Sequence, residues 1–165
     1  MRLYFVQPVG GGPIKIGASV HPERRFSVYL TWSPVPLDIL VDAPGDYLTE
    51  AYLHYKFRSH RLHHEWFKDV PEIRTILDTT KKTGRIPGVP TTAELAGQTL
   101  SPYVQALRVR LRLSRAELAE ALGVTHGTVK LWEAGGGRFA GSTAGKLIAF
   151  AEEHRFDPLG LRAAA

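Results

Sequence analysis

Several charged residues in the N-terminal half of the sequence have types and spacings suited to phosphate chemistry. Lys15 lies in a short apolar stretch, and the adjacent pair Arg24 and Arg25 follows soon after it. Glu50 and His54 are one helical turn apart, so on a helix they point to the same side. Arginine suits the non-bridging oxygens of a phosphate because its fork is always charged, and glutamate binds Mg²⁺ through hard oxygen. These residue types fit hydrolysis of a phosphodiester, which needs an activated water and a cation near the developing negative charge.

The elements that must position these residues are predicted to form a small α+β unit. Two short strands at 2–7 and 13–18 are joined by a glycine-rich loop of hairpin length. A helix begins at Pro22 and stops near Ser33, because the prolines that follow disfavour helical backbone. The remaining elements are a strand over 37–43, a helix capped by Asp46 over 47–60, an extended piece at 64–68 and a helix over 71–80. This order predicts an α+β domain around a three-stranded antiparallel sheet with flanking helices.

These residues resemble the GIY-YIG nuclease fold. Tyr4 matches the tyrosine of the first half-motif, and Lys15-Ile16-Gly17 matches the second. Arg25 follows where that family has its catalytic arginine, and Glu50 lies in "TEAYLHYKF", ahead of a terminal "EWF". The resemblance implies that Arg25 is catalytic and that Glu50 binds a single Mg²⁺ or Mn²⁺. It also implies that Tyr4 deprotonates or orients the attacking water.

Two positions in this set leave alternatives open. Lys15 stands where many members of the family have tyrosine, although the "KIG" form occurs in one branch of the superfamily. Lowering the pKa of Tyr4, orienting the nucleophile and binding phosphate are three roles open to Lys15. His54 either supports Glu50 or touches the water or the phosphate. The alternative for His54 is an ordinary surface pair with that glutamate.

The roles of the charged residues near this set are predicted from their positions in the sequence. Adjacent helical residues face different ways, so we expect Arg25 to turn inward and Arg24 to face solvent or the DNA backbone. Glu65 either docks its segment on the core or holds Arg25 in place. The histidines in "HRLHH" (60–64) do not predict structural zinc, since no second cluster and no cysteine completes four ligands.

The rest of the chain has a different character. Residues 79–99 contain two prolines, three glycines and six threonines, which predicts a flexible linker. Beyond it the pattern is helical, with Ser114 and Glu117 spaced as a capping box and Gly123 at a turn. This part resembles the helix-turn-helix of Cro and related repressors. The predicted domains are therefore a nuclease-like unit at 1–78, the linker, and a helix-turn-helix unit at 100–165.

The second resemblance implies a set of DNA contacts. Residues at and after the cap of the recognition helix would face the major groove: Thr125, His126, Gly127, Thr128, Lys130 and Leu131. Phosphate contacts are expected from Arg108, Arg110, Arg112, Arg115, Lys130 and Arg138, with a solvated helix face as the alternative for each arginine. Gly127 and Leu131 replace long polar side chains, so we expect weak sequence specificity.

Charge and composition are consistent with a nucleic-acid partner. The net charge is +5, and residues 1–78 are neutral, so the excess lies in the linker and the C-terminal part. The 165 residues include no cysteine and no apolar run of 18, and we expect a cytoplasmic protein with no membrane partner.

The leading hypothesis is a metal-dependent DNA endonuclease or nickase of the GIY-YIG type, brought to DNA by the helix-turn-helix. The rival is a non-catalytic DNA-binding regulator with a degenerate nuclease domain. Presence of both Arg25 and Glu50 favours the enzyme, although a buried salt bridge could explain the same pair. An RNA-directed role is a third reading, and a homodimer through the helix-turn-helix stays open. The nuclease family suggests a phage or mobile-element setting.

Overall fold

The computed structural model describes residues 1–138 and 141–156; the last residues of the predicted C-terminal domain, 157–165, lie outside these ranges. In chain order, its elements are β1 (Arg2–Pro8), β2 (Ile14–Ser19), α1 (Pro22–Trp32), β3 (Leu37–Pro44), α2 (Tyr47–Lys56), β4 (Arg61–His63), β5 (Trp66–Phe67), α3 (Pro71–Thr83), α4 (Leu100–Leu111), α5 (Arg115–Leu122), α6 (His126–Leu131) and α7 (Gly141–Glu153). A 3-10 turn, Arg58–His60, precedes β4, and a π-type turn, Trp132–Gly136, follows α6. Within the described ranges, no helix has the length and apolarity needed to cross a membrane.

The α+β class is confirmed, but the sheet has five strands where the sequence predicts three. Its order is β3-β1-β2-β5-β4, and all neighbouring strands are antiparallel. The predicted extended piece supplies β5, in which Phe67 pairs with Ile14 and Trp66 with Lys15. Strands of two and three residues are too short to show a period-two pattern, which is why the last hairpin was not predicted as sheet.

The segment predicted as a linker packs against the N-terminal half of the protein. Helix α3 continues into it as far as Thr83, and Ile86, Val89 and Leu95 are buried. The backbone N–H of Thr92 donates to the Asp46 carboxylate, 2.7 Å away, at the cap of α2. These contacts differ from the flexible connection predicted from composition, because apolar residues spaced along the segment reach the core.

Helix α7 of the C-terminal half lies directly on α2 of the N-terminal half. Gly145 allows this approach, since a Cβ there would lie 2.7 Å from the backbone nitrogen of Tyr52 and closer still to the carbonyl of Leu48. Beyond the glycine, Glu152 accepts from Lys56 at 2.9 Å and from the Tyr52 hydroxyl. The buried residues of both halves form one continuous hydrophobic core. The two halves are therefore held in a fixed relation.

The helix-turn-helix begins and ends as its sequence predicts. Ser114 and Glu117 form the capping box of α5, and Gly123 ends that helix with φ of 64°. Thr125 caps α6 by accepting from the backbone N–H of Thr128. Val129 is buried with residues of α5, so the two helices share a core. The second helix is thereby fixed against the first, with its outer face exposed.

We predict that Gly145→Ala destabilises the protein by about 2 kcal/mol or more, because the added methyl group would force the backbones of α2 and α7 apart. Alanine is otherwise the better helix former, so the intrinsic effect has the opposite sign. The measurement is urea-induced unfolding followed by circular dichroism.

The matched control is Gly127→Ala, where a Cβ would be in ordinary contact 3.7 Å from the Thr125 hydroxyl. This change should be neutral or slightly stabilising. Equal stability of the two variants would contradict the close packing of α7 on α2.

Candidate functional site

Tyr4 of β1 lies next to the "KIG" motif of β2 in the candidate nuclease site. It pairs with Gly17 in the β1–β2 register, and a Cβ at Gly17 would lie 2.6 Å from the Tyr4 hydroxyl. The glycine of the "KIG" motif therefore leaves room for the tyrosine ring. The hydroxyl of Tyr4 is 3.0 Å from that of Tyr29 on α1, and Phe26 packs edge-on against the ring. Sequence reasoning did not identify Tyr29 as part of this group.

Glu50 and His54 lie on the face of α2 that meets β2, as their spacing predicts. Glu50 accepts a hydrogen bond from the backbone N–H of Ala18, at 2.8 Å through Oε1. His54 Nε2 is 3.0 Å from the carbonyl oxygen of Ile16. Both side chains are therefore fixed by the backbone on either side of the motif glycine.

The protonation states of this pair follow from burial. Burial raises the pKa of Glu50 to about 7, against the opposing effects of the Ala18 N–H and the charges of Lys15 and Arg25. Burial also lowers the pKa of His54, which favours the neutral ring at pH 7. Since a carbonyl can only accept, Nε2 carries the ring proton and Nδ1 keeps its lone pair. The pair thus combines a carboxyl group whose pKa lies near 7 with a neutral imidazole.

Tyr4 is poorly suited to the role of general base that the sequence implies for it. Burial raises the pKa of Tyr4 far above its ordinary value, and the hydrogen bond with Tyr29 raises it further. The charge of Arg25 acts in the opposite direction but is the smallest contribution. Of the three roles open to Lys15, lowering this pKa has no support here, since Arg25 is the charge that acts in that direction. Tyr4 remains a protonated hydroxyl that positions its neighbours.

Lys15 is buried, with 7% of its surface exposed, and forms an ion pair with Glu65. Its ammonium also lies 5.0 Å from the ring centre of Tyr29 and 6.0 Å from that of Trp66. Glu65 therefore holds Lys15 and not Arg25, because β5 pairs directly with β2 and brings the two charges together. A buried ammonium needs such a partner, since it has lost its water.

Arg25 is exposed on α1 and is not buried against the sheet. Its backbone N–H continues the helix from His21, and within the described ranges its side chain has no carboxylate partner. Its charge still lowers the pKa of both Glu50 and Tyr4, which indicates that the guanidinium lies on the same side of the sheet. Arg24 is exposed as well. Both arginines are thus available to a ligand.

A cleft of about 910 Å³ joins the candidate site to the helix-turn-helix. One wall carries the site residues Glu50, His54 and Glu65. The opposite wall carries Lys146 of α7 and the end of α5 at Gly123, just before the recognition helix. The two halves of the chain therefore share one concave surface.

The predicted groove-facing residues lie together on an exposed surface. Thr125, His126, Gly127, Lys130 and Leu131 are exposed, and Thr128 is partly buried. The hydroxyls of Thr125 and Thr128 are 2.8 Å apart and bond each other, and the Thr125 hydroxyl also accepts from the backbone N–H of Thr128. Lys130 and His126 are consequently the polar side chains of this helix most free to reach outward.

The arginines predicted to bind phosphate fall into two groups. Arg108 and Arg115 both bond Glu133, whose side chain is only 3% exposed. Their hydrogen bonds therefore hold α4, α5 and the π-type turn together, a role that sequence reasoning missed. The exposed remainder of the set comprises Arg110, Arg112 and Arg138. A glutamate directly after the buried Trp132 was the available signal for this clamp.

We predict that Glu133→Gln lowers the free energy of unfolding at pH 7 by about 2–3 kcal/mol, because it leaves two arginines without their shared charge. Burial alone would raise the pKa of Glu133, but Arg108 and Arg115 outweigh it and hold this pKa below its ordinary value. A carboxylate whose pKa is lowered by folding stabilises the fold at pH values above its ordinary pKa. This contribution is lost as the pH falls through the pKa of the folded state. The difference between variant and wild type should therefore shrink toward pH 3 in urea titrations.

The matched control is Glu94→Gln, which removes a charge from the exposed pair with Arg85. That change should cost about 0–1 kcal/mol. A cost for Glu133→Gln no greater than this would contradict the clamp.

A comparison with protein families matches residues 104–151 to the helix-turn-helix family model. The matched segment covers α4 from its second turn through most of α7, including the exposed face of α6. Neither a curated protein nor a solved structure was found to match the chain. The match supports DNA binding by the C-terminal part, and the N-terminal resemblance to GIY-YIG nucleases stays a prediction.

Proposed function

We propose that the protein is a metal-dependent DNA endonuclease or nickase whose phosphodiester-cleaving site is built on β2, α1 and α2. The observation that carries the proposal is the anchoring of Glu50 and His54 to the backbone of β2 on either side of Gly17. That arrangement points a carboxyl group and a neutral imidazole into one cleft. It needs no rearrangement of the chain before a substrate arrives.

The residues present fit a hard divalent cation. Oε1 of Glu50 accepts from Ala18, which leaves Oε2 as a ligand, and burial raises the pKa of this carboxyl to about 7. Within the described ranges no three His, Cys, Asp or Glu side chains are grouped to hold a metal ion, so Glu50 would act with water ligands. When bound, Mg²⁺ or Mn²⁺ would supply positive charge at the phosphate and lower the pKa of a bound water.

The chain's own groups can serve the remaining needs of hydrolysis. In this reaction the water oxygen bonds to phosphorus and the water gives up a proton, while the leaving oxygen keeps the electrons of the broken bond and takes a proton from solvent. His54 Nδ1 has the lone pair to accept that proton, which gives His54 the role first assigned to Tyr4. Arg25 can bind the non-bridging oxygens, and the Tyr4–Tyr29 hydroxyl pair can orient the phosphate.

The packing of α7 on α2 gives the proposal a geometric consequence. A flexible tether would let the nuclease site reach many positions on the DNA around a bound helix-turn-helix. A fixed relation between the two instead favours cleavage at a constant offset from the bound site. The shared cleft is the direct path between them.

The alternative function is a DNA-binding regulator without catalysis. It is favoured by the family match, which covers the helix-turn-helix alone. On this alternative, the bonds from Glu50 and His54 to β2 serve only to attach α2 to the sheet.

We predict that the purified protein cleaves or nicks supercoiled plasmid in the presence of Mg²⁺ or Mn²⁺. Glu50→Gln and Arg25→Ala should each lower the rate by about a hundredfold or more, the scale seen when a charge-stabilising group is removed. Glu50→Gln keeps the acceptor for the Ala18 N–H, so the fold should be preserved. Gel electrophoresis of the plasmid forms measures the rate.

Arg24→Ala is the matched control, since it removes the adjacent exposed arginine and should have much the smaller effect. A gel-shift assay on the same variants tests whether DNA binding is intact. If the wild type shifts DNA yet leaves every substrate uncut with several metals, the regulator is the correct reading.

We predict that Lys130→Ala weakens duplex binding about equally on different sequences and lowers the salt slope of log K by about one, as for one lost phosphate contact. Binding isotherms at several salt concentrations measure both quantities. Lys82→Ala removes an exposed lysine from α3 and should leave the slope unchanged. An unchanged slope for Lys130→Ala would show that α6 does not meet the backbone of DNA.

A further inference from the structure

Helix α1 is unusually exposed for a helix of a folded protein. None of its residues is buried, and Trp32 at its end is 83% exposed. Val28 is exposed on the same side of the helix as Trp32, and Leu30 is exposed on another side. An exposed apolar surface of this kind marks an interaction site more often than an isolated apolar side chain does.

The aromatic ring is aligned with the arginine of the candidate site. Arg25 and Trp32 are seven residues apart, which places them on the same side of α1 about 10.5 Å apart along its axis. Val28 lies between them on that side. Leu30 is rotated by about 200° from Trp32 and faces away.

The charges on this side indicate a polyanion. Arg24 and Arg25 are exposed, and within the described ranges neither pairs with a carboxylate. Another exposed arginine of this half does have a carboxylate partner, since Arg2 pairs with Asp42. A guanidinium group without a carboxylate partner, on the same helix face as an exposed aromatic ring, is a combination that binds single-stranded nucleic acid through phosphates and stacked bases.

We propose that the face formed by Arg25, Val28 and Trp32 binds an unpaired stretch of DNA, with a base stacked on the Trp32 ring. The proposal rests on the proposed function to the extent that the same strand would pass Arg25 at the cleavage site. It names the substrate class: DNA with accessible bases, as in a single strand, a bubble or a frayed end. A continuous duplex cannot offer a base face to the ring, because each base is covered by its neighbours.

A second copy of this chain is the other occupant that an apolar surface suggests. The exposed guanidinium groups argue against it, since a symmetric contact through this face would bring like charges together. The oligomeric state is therefore included in the test.

The experiment measures binding of a thymine homo-oligonucleotide to the full chain in EDTA, by quenching of tryptophan fluorescence and by anisotropy of a labelled strand. Trp132 is only 6% exposed and Trp66 is partly buried, so stacking on Trp32 should dominate the quenching. We expect Trp32→Ala to abolish most of the quenching and to weaken binding by about fivefold or more, while Trp32→Phe keeps most of the affinity. Leu30→Ala should change neither quantity, and duplex of the same length should bind equally well to all variants.

Equal affinity of wild type and Trp32→Ala for the single strand would overturn the proposal, as would equal losses for Trp32→Ala and Leu30→Ala. A wild-type dimer that becomes monomeric in Trp32→Ala on sedimentation would also overturn it, in favour of a contact between copies. Because binding is measured without metal, a protein that never cleaves DNA can still pass this test, and failure of the nuclease proposal is seen separately.

Discussion

The close approach of α7 to α2 at Gly145 determines how the two halves of this protein relate. The contact is between backbones, so it tolerates no side chain and little displacement. Helix α2 uses its other side to hold Glu50 and His54 against β2. A single helix thus carries the candidate site on one face and the C-terminal half on another. Any shift of α7 would be transmitted to the candidate site through this helix.

Two glutamates of this chain have pKa shifts in opposite directions because their surroundings differ. Glu133 is buried between Arg108 and Arg115, and its pKa is held below the ordinary value. Glu50 is also desolvated, but its hydrogen-bond partner is a backbone N–H, and its pKa rises to about 7. The first carboxylate is satisfied and holds three elements together. The second has a raised pKa and lines the cleft, which is why we propose that it is a metal ligand.

Local features of the sequence predicted most of the fold. The β1–β2 hairpin, the start of α1 at Pro22, the capping of α2 by Asp46 and the turn at Gly123 follow from residue types at single positions. The features that were missed depend on contacts between distant residues. Glu65 pairs with Lys15 because β5 joins the sheet, and the buried residues of 79–99 find partners elsewhere in the chain. Neither the high pKa of Tyr4 nor the backbone contact at Gly145 has a local pattern from which it could be predicted.

The fixed relation between the halves also limits what can bind. The cleft of about 910 Å³ has Glu50 and His54 on one wall and Lys146 and the end of α5 on the other. The recognition helix, by contrast, presents an exposed face of the kind that enters a major groove. On the proposed function, one nucleic acid that reaches both surfaces would be duplex at α6 and would meet Glu50 at a constant distance from it, since α7 cannot move away from α2 without loss of packing. Under the same proposal Trp32, about 10.5 Å from Arg25 along α1, would hold an unpaired stretch of that nucleic acid, so the fixed junction and the exposed face of α1 would serve one substrate.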